Sequence, residues 1–209
     1  MDNIKLEELL KAIAVITSSE MEFSECEIEP GKHCSKIRKL TEKVLLELQD
    51  KKYKGKYKLD EEDIHMIGYL AMFHDIGKSK VPWNIVHKPE KLTDAEFEQM
   101  KLHTIYGSEI ALRYQDVVKN SKITKYMSDI CKYHHEKWDG NGYPEHLRGN
   151  EIPIYAQVVG IVDCYDVLIS KRSYKKAVDK SIAIECIKQG KCGIFNPDVI
   201  DAFLRVIYE

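Results

Sequence analysis

No stretch of the chain comes near the ~18–20 consecutive apolar residues that a bilayer-crossing helix needs, so no membrane insertion is expected. A Cys-x-x-Cys pair is also missing. The 6 cysteines (Cys26, Cys34, Cys131, Cys164, Cys186 and Cys192) are scattered, which argues against a zinc ribbon and for reduced thiols in a cytoplasmic protein. Nor does one sign of charge dominate. With 32 Lys+Arg against 34 Asp+Glu and a net charge of −2, the chain is not expected to coat a nucleic acid polymer. The start, Met1-Asp2-Asn3-Ile4-Lys5, carries early acids and no basic-then-apolar targeting signal. Alternating strand patterns, internal repeats and low-complexity tracts are absent as well. What remains is a soluble globular composition, 209 residues long and 44% hydrophobic, enough for one domain or one plus a small appendage.

The periodicity is helical almost throughout. Ile4, Leu6, Leu9, Leu10, Ile13 and Ile16 predict a helix over 4–19, and the acidic, aperiodic 20–29 reads as a connector. Pro30 suits the first turn of a helix whose one face carries His33, Ile37, Leu40, Val44 and Leu48. The basic tract 51–58 reads as a solvated turn or a contact for an anion. Asp60 caps a helix through Ile64, Ile67 and Ala71 to His74-Asp75, with Gly77 as its stop. A Thr93/Glu96 capping box opens a pattern that runs through Met100, His103, Gly107, Ile110 and Ala111 to Tyr114. Ile123, Met127, Ile130 and His134 mark the next helix. Residues 136–153 hold three glycines and two prolines and read as a long ordered loop. Helix returns at 154–170, at about 179–189 and after Asn196-Pro197.

Histidine carries the chemistry. Five of the eight histidines, His33, His74, His103, His134 and His135, lie on or directly beside apolar helix faces. Burying five imidazoles together would strand many ring nitrogens, unless a metal uses them as ligands. Asp75 adjoins His74, and Asp163 shares a face with Val159 and Asp166. An all-helical scaffold with inward His and Asp is a known route to a dinuclear site. His65, His87 and His146 fall on polar faces or in loops and read as solvated.

His74-Asp75-Ile76-Gly77-Lys78 resembles the signature of the HD phosphohydrolase superfamily, and the run His134-His135-Glu136-Lys137-Trp138-Asp139-Gly140-Asn141-Gly142-Tyr143-Pro144 resembles the defining segment of its HD-GYP branch. Lys88–Thr93 leading to His103, Gly149–Pro153, and Asp163–Leu168 leading to Arg172-Ser173-Tyr174-Lys175 agree in order and spacing. The resemblance covers roughly residues 29–208. It leaves 1–28 as an N-terminal helix and connector and 29–209 as the HD-GYP domain.

That resemblance implies an all-α HD-domain bundle with an ordered Gly-Tyr-Pro loop, no significant sheet, and two or three divalent ions, iron or else manganese. It implies a cyclic di-GMP phosphodiesterase that yields pGpG, and further GMP, by attack of a hydroxide bridging the metals. His33, His74, Asp75, His103, His134, His135 and Asp163 would be ligands, with Asp75 bridging, and Glu29 would bind a third ion. Lys78, Arg172 and Lys175 would meet substrate phosphates. Tyr143 and Trp138 would contact guanine or anchor the loop. Glu136 would orient a histidine or cap the loop, and Asp166 would support the site without binding metal. A GGDEF-type signalling protein is the partner implied for the loop.

Two positions depart from the family pattern. Gln157 stands where an arginine is usual, leaving a local charge interaction open, and Ser173 stands in place of proline. The alternatives are an HD-type hydrolase of another signalling nucleotide, and a non-catalytic cyclic di-GMP receptor or partner-binding module. The complete ligand set argues against the receptor.

Overall fold

The computed structural model describes residues 30–53, 55–113, 115–116, 121–170 and 178–208. The expected helix over 4–19, the connector with Glu29, and the segment holding Arg172, Ser173 and Lys175 lie outside the described residues. Nine α-helices account for most of the rest: α1 Pro30–Glu47, α2 Glu61–Ala71, α3 Trp83–Val86, α4 Asp94–Lys101, α5 His103–Arg113, α6 Ser121–Tyr133, α7 Ile154–Ile169, α8 Lys180–Lys188 and α9 Pro197–Tyr208. Three 3-10 turns occur among the described residues, at Lys51–Tyr53, Ile76–Lys80 and Gly149–Glu151. No strand forms among the described residues, so the all-α expectation holds.

Helix α7 is the axis of the bundle. Every residue from Tyr155 to Val162 is buried, which suits a helix covered on all sides. Helix α1 packs against α2, α7 and α9, and α5 pairs with α6. Ile37, Val44 and Leu45 of α1, and Leu48 just beyond it, are fully buried with Ile64, Ile67 and Leu70 of α2. The Ser108 and Ser128 hydroxyls bond across α5 and α6 at 2.8 Å. Asp60 caps α2 by accepting from the Asp63 amide at 2.7 Å. Thr93 and Glu96 form the expected capping box on α4.

The basic tract lies at the surface, and two of its lysines and two of its tyrosines are tied to α9. Lys56 pairs with Asp198 at 2.8 Å, Lys52 pairs with Asp201, and the Tyr53 and Tyr57 hydroxyls donate to the same two carboxylates at 2.7 Å.

Two boundaries differ from expectation, and both differences shape the site. Gly77 does not stop α2. That helix ends at Ala71, and Gly77 lies inside the following 3-10 turn. Its missing side chain serves contact instead. A Cβ there would stand 1.9 Å from the His103 carbonyl oxygen and 2.4 Å from the Gly107 nitrogen. The expected single helix over 93–114 is in fact two, broken at Leu102, so that His103 opens α5 beside the Gly77 turn. Gly160 of α7 approaches the His134 carbonyl in the same way, with a Cβ there 2.4 Å from that oxygen.

Candidate metal centre

His74, His103 and His134 share one local device. Each stands just after a helix ends: α2 at Ala71, α4 at Lys101 and α6 at Tyr133. The last carbonyls of a helix have no partner within it. His74 Nδ1 bonds the Ala71 carbonyl at 2.9 Å, His103 Nδ1 bonds Met100 at 2.7 Å, and His134 Nδ1 bonds Ile130 at 2.9 Å. A carbonyl only accepts, so each Nδ1 carries the proton and each Nε2 presents a lone pair. His33 reaches the same state through Asp166, which accepts from its Nδ1 at 2.6 Å. Asp166 is buried and also holds Lys36 at 3.3 Å, so it positions His33 instead of facing the cluster.

The lone pairs converge on carboxylates. Asp75 Oδ1 lies 3.2 Å from His103 Nε2 and 3.7 Å from His134 Nε2, while its Oδ2 lies 3.4 Å from His74 Nε2. Asp163 Oδ1 is 3.6 Å from His74 Nε2. Asp75, His103, His134 and His135 offer ligand atoms within 4.8 Å of one another, and so do His33, His74 and Asp163. Asp75 stands between these two groups, with one oxygen turned toward each. All seven cluster residues expected from the sequence that fall among the described residues are thus brought together, whereas His65, His87 and His146 belong to neither group.

The donor set fits metal. His74 Nε2, His103 Nε2, His134 Nε2 and Asp75 Oδ1 are buried without a hydrogen-bond partner. Four acceptors aimed at one another in a buried site repel unless positive charge sits among them. A single proton serves one pair, whereas divalent ions serve all four.

The electrostatics agree. Burial pushes the His134 pKa down to about 3, and burial with His134 and His103 nearby holds His135 well below the usual range, so both are neutral ligands at pH 7. Burial opposes the ionised forms of Asp75 and Asp163, yet Lys78 and His74 hold Asp75 well below the carboxylate range, and His74 brings Asp163 to about 2. At His74 burial is outweighed by Asp75 and Asp163, which raise its pKa: the two carboxylates draw a positive charge, proton or metal, to its Nε2. Lys78 Nζ lies 2.6 Å from Asp75 Oδ2 at the margin of the cluster.

The loop after α6 is held from within. Glu136 caps it, accepting from the Glu145 amide at 2.7 Å and the Leu147 amide at 3.2 Å. Trp138 anchors both loop ends through its backbone, donating to Ile194 at 2.9 Å and accepting from Gly149 at 3.0 Å. Tyr143 lies over the His135 ring. Gln157 takes the place of the missing arginine without charge. It donates to the Ile152 carbonyl at 2.7 Å and accepts from Asn196 at 3.0 Å, tying loop, α7 and the start of α9 together. Glu136→Ala leaves two loop amides without their acceptor and is expected to cost about 2–4 kcal/mol in a denaturant titration, with metal content unchanged.

The HD domain family model matches residues 33–199. The chain belongs to the HD domain family. Within it the Gly-Tyr-Pro loop marks the HD-GYP branch. The chain is 38% identical over 151 residues to a cyclic di-GMP phosphodiesterase of Thermotoga maritima, covering 72% of this chain and 40% of that protein. It is also 38% identical over 150 residues to the 3′3′-cGAMP-specific phosphodiesterase 2 of Vibrio cholerae, covering 71% of this chain and 28% of that protein. This HD-GYP chain therefore spans well under half the length of these curated relatives. Among solved structures it resembles the HDG"Y"P protein of Bdellovibrio bacteriovorus, with a TM-score of 0.61 at 19% identity over 94% of this chain and 58% of that one, a likeness of fold.

Two features were not visible to the sequence reading. Phe97 and Lys101 lie against Tyr143. They sit one turn apart on α4, and that i, i+4 spacing was the only local signal.

Proposed function

We propose that this HD-GYP domain, residues 29–209, hydrolyses cyclic di-GMP to pGpG and on to GMP, as a metal-dependent phosphodiesterase. The observation that carries the reading is the convergence of four unpartnered acceptor atoms beside the Lys78 ammonium. The names of its relatives, a cyclic di-GMP phosphodiesterase and a 3′3′-cGAMP-specific phosphodiesterase, support a cyclic dinucleotide as substrate.

His103, His134 and His135 would hold one ion, His33, His74 and Asp163 a second, and Asp75 would bridge them; Glu29 would add a third. This imidazole-rich set suits iron or manganese better than magnesium. Bound ions supply Lewis acidity and a water acidic enough to act at neutral pH. Asp75 fixes the spacing of the two ligand groups. Asp166 and the helix-end carbonyls keep the histidines in the Nδ1–H tautomer, so that no ligand must reorganise. Lys78 stabilises the charge that builds on phosphoryl oxygens. Arg172 and Lys175 hold the substrate's phosphates, and Tyr143 borders its base. The Gly-Tyr-Pro loop would also offer a face to a GGDEF-type partner.

The test is product analysis after incubating the iron- or manganese-loaded chain with cyclic di-GMP, 3′3′-cGAMP and cyclic di-AMP. The reading expects cyclic di-GMP to be consumed fastest and a chelator to stop it. Faster consumption of 3′3′-cGAMP would favour the second reading, which the Vibrio cholerae relative suggests. Binding of cyclic di-GMP without turnover would make the chain a receptor.

A further inference from the structure

Three aromatic rings step outward from the cluster. His135 lies 5.1 Å from the His103 ring, and Tyr143 stacks on His135 with centroids 4.8 Å apart and planes inclined by 28°. Phe97 meets Tyr143 edge-on, at 6.3 Å and 82°. Unlike its neighbour, Phe97 is 44% exposed. Helix α4 buries none of its residues, so the hydrophobic core does not account for an aromatic ring at this position. Lys101 follows one turn later. Its ammonium sits 5.1 Å from the Phe97 centroid and 5.5 Å from that of Tyr143, and it is tethered to Glu98 at 2.6 Å.

We propose that Phe97 and Lys101 form a guanine subsite at the mouth of the metal centre, with Phe97 stacking one base of the dinucleotide and Lys101 donating to its O6 and N7. The inference rests on the phosphodiesterase reading and deepens it. Stacking on an aromatic ring tolerates any base, because every base has a π-face. Selection therefore falls to Lys101. Guanine turns two acceptors, O6 and N7, to one edge, whereas adenine turns an N6 donor beside N7. An ammonium can only donate, so it favours guanine and faces a donor on adenine. The tether to Glu98 limits where the ammonium can go. A hybrid dinucleotide would enter with its guanine on Phe97, so cyclic di-AMP, which has no guanine to offer, is the discriminating probe.

Steady-state kinetics of the metal-loaded full chain test this, with cyclic di-GMP as substrate, cyclic di-AMP as competing inhibitor, and bis(p-nitrophenyl) phosphate as a diester without a base. Phe97→Ala is expected to raise KM for cyclic di-GMP about tenfold while kcat and small-diester cleavage stay near wild type. Lys101→Met is expected to reduce the preference for cyclic di-GMP over cyclic di-AMP about fivefold. An unchanged KM in Phe97→Ala overturns the subsite. So does an equal loss on the small diester, since Phe97 would then only brace Tyr143. An unchanged preference in Lys101→Met overturns the guanine contact. A wild-type chain that cleaves the small diester and no dinucleotide overturns both this inference and the reading beneath it.

Discussion

Asp75→Ala is expected to abolish hydrolysis and to strip ions from both ligand groups at once. Each Asp75 oxygen serves a different group: Oδ1 lies 3.2 Å from His103 Nε2, and Oδ2 lies 3.4 Å from His74 Nε2. Losing the carboxylate removes a ligand from each side and the negative charge that offsets two cations. The fold should survive, because Asp75 lies in the turn after α2 and its side chain makes no helix-capping bond. Metal analysis and a thermal melt on the same preparation check this. Wild-type metal content would show that Asp75 does not bridge.

Lys78→Ala is expected to keep the metal and lose about 10²–10³ in kcat, the scale of removing one positioned donor from a developing oxyanion. Lys78 sits in the 3-10 turn Ile76–Lys80, three residues beyond Asp75, and its ammonium is held 2.6 Å from Oδ2. That contact fixes the cation at the edge of the cluster before substrate arrives, which is how electrostatic stabilisation gains over a mobile charge. If Lys78 did no more than balance Asp75, the variant would turn over normally at saturating substrate. The measurement is kcat with metal content determined in parallel.

The ligand residues were legible in the sequence because their types are costly to bury without a metal. Five histidines on or beside apolar faces, with Asp75 and Asp163, pointed to one centre, and all seven fall into the two ligand groups that meet at Asp75. The way each histidine is aimed was not legible. Sequence periodicity ran α2 on to His74 and α4 on to Tyr114, because no proline or glycine stands at Leu102 or between Ala71 and His74. The breaks come from packing. Gly77 lets its turn press against the His103 carbonyl, so the helices stop where they do and their last carbonyls meet the histidine Nδ1 atoms. A helix stop read at Gly77 was therefore misplaced, although the glycine itself is required. The Phe97–Tyr143 contact joins residues 46 positions apart and leaves no local pattern. Gln157 posed the opposite problem. The expected arginine left a charge interaction open, and the structure fills the place with neutral amide bonds to Ile152 and Asn196.

The decisive measurement is the metal content per chain of protein purified without oxygen, by elemental analysis against protein concentration. The proposed centre, two ligand groups joined by Asp75, predicts at least two divalent ions per chain, and three if Glu29 also ligates. A chain that holds one ion or none under these conditions, while still folded, would contradict the bridged centre and the hydrolysis built on it.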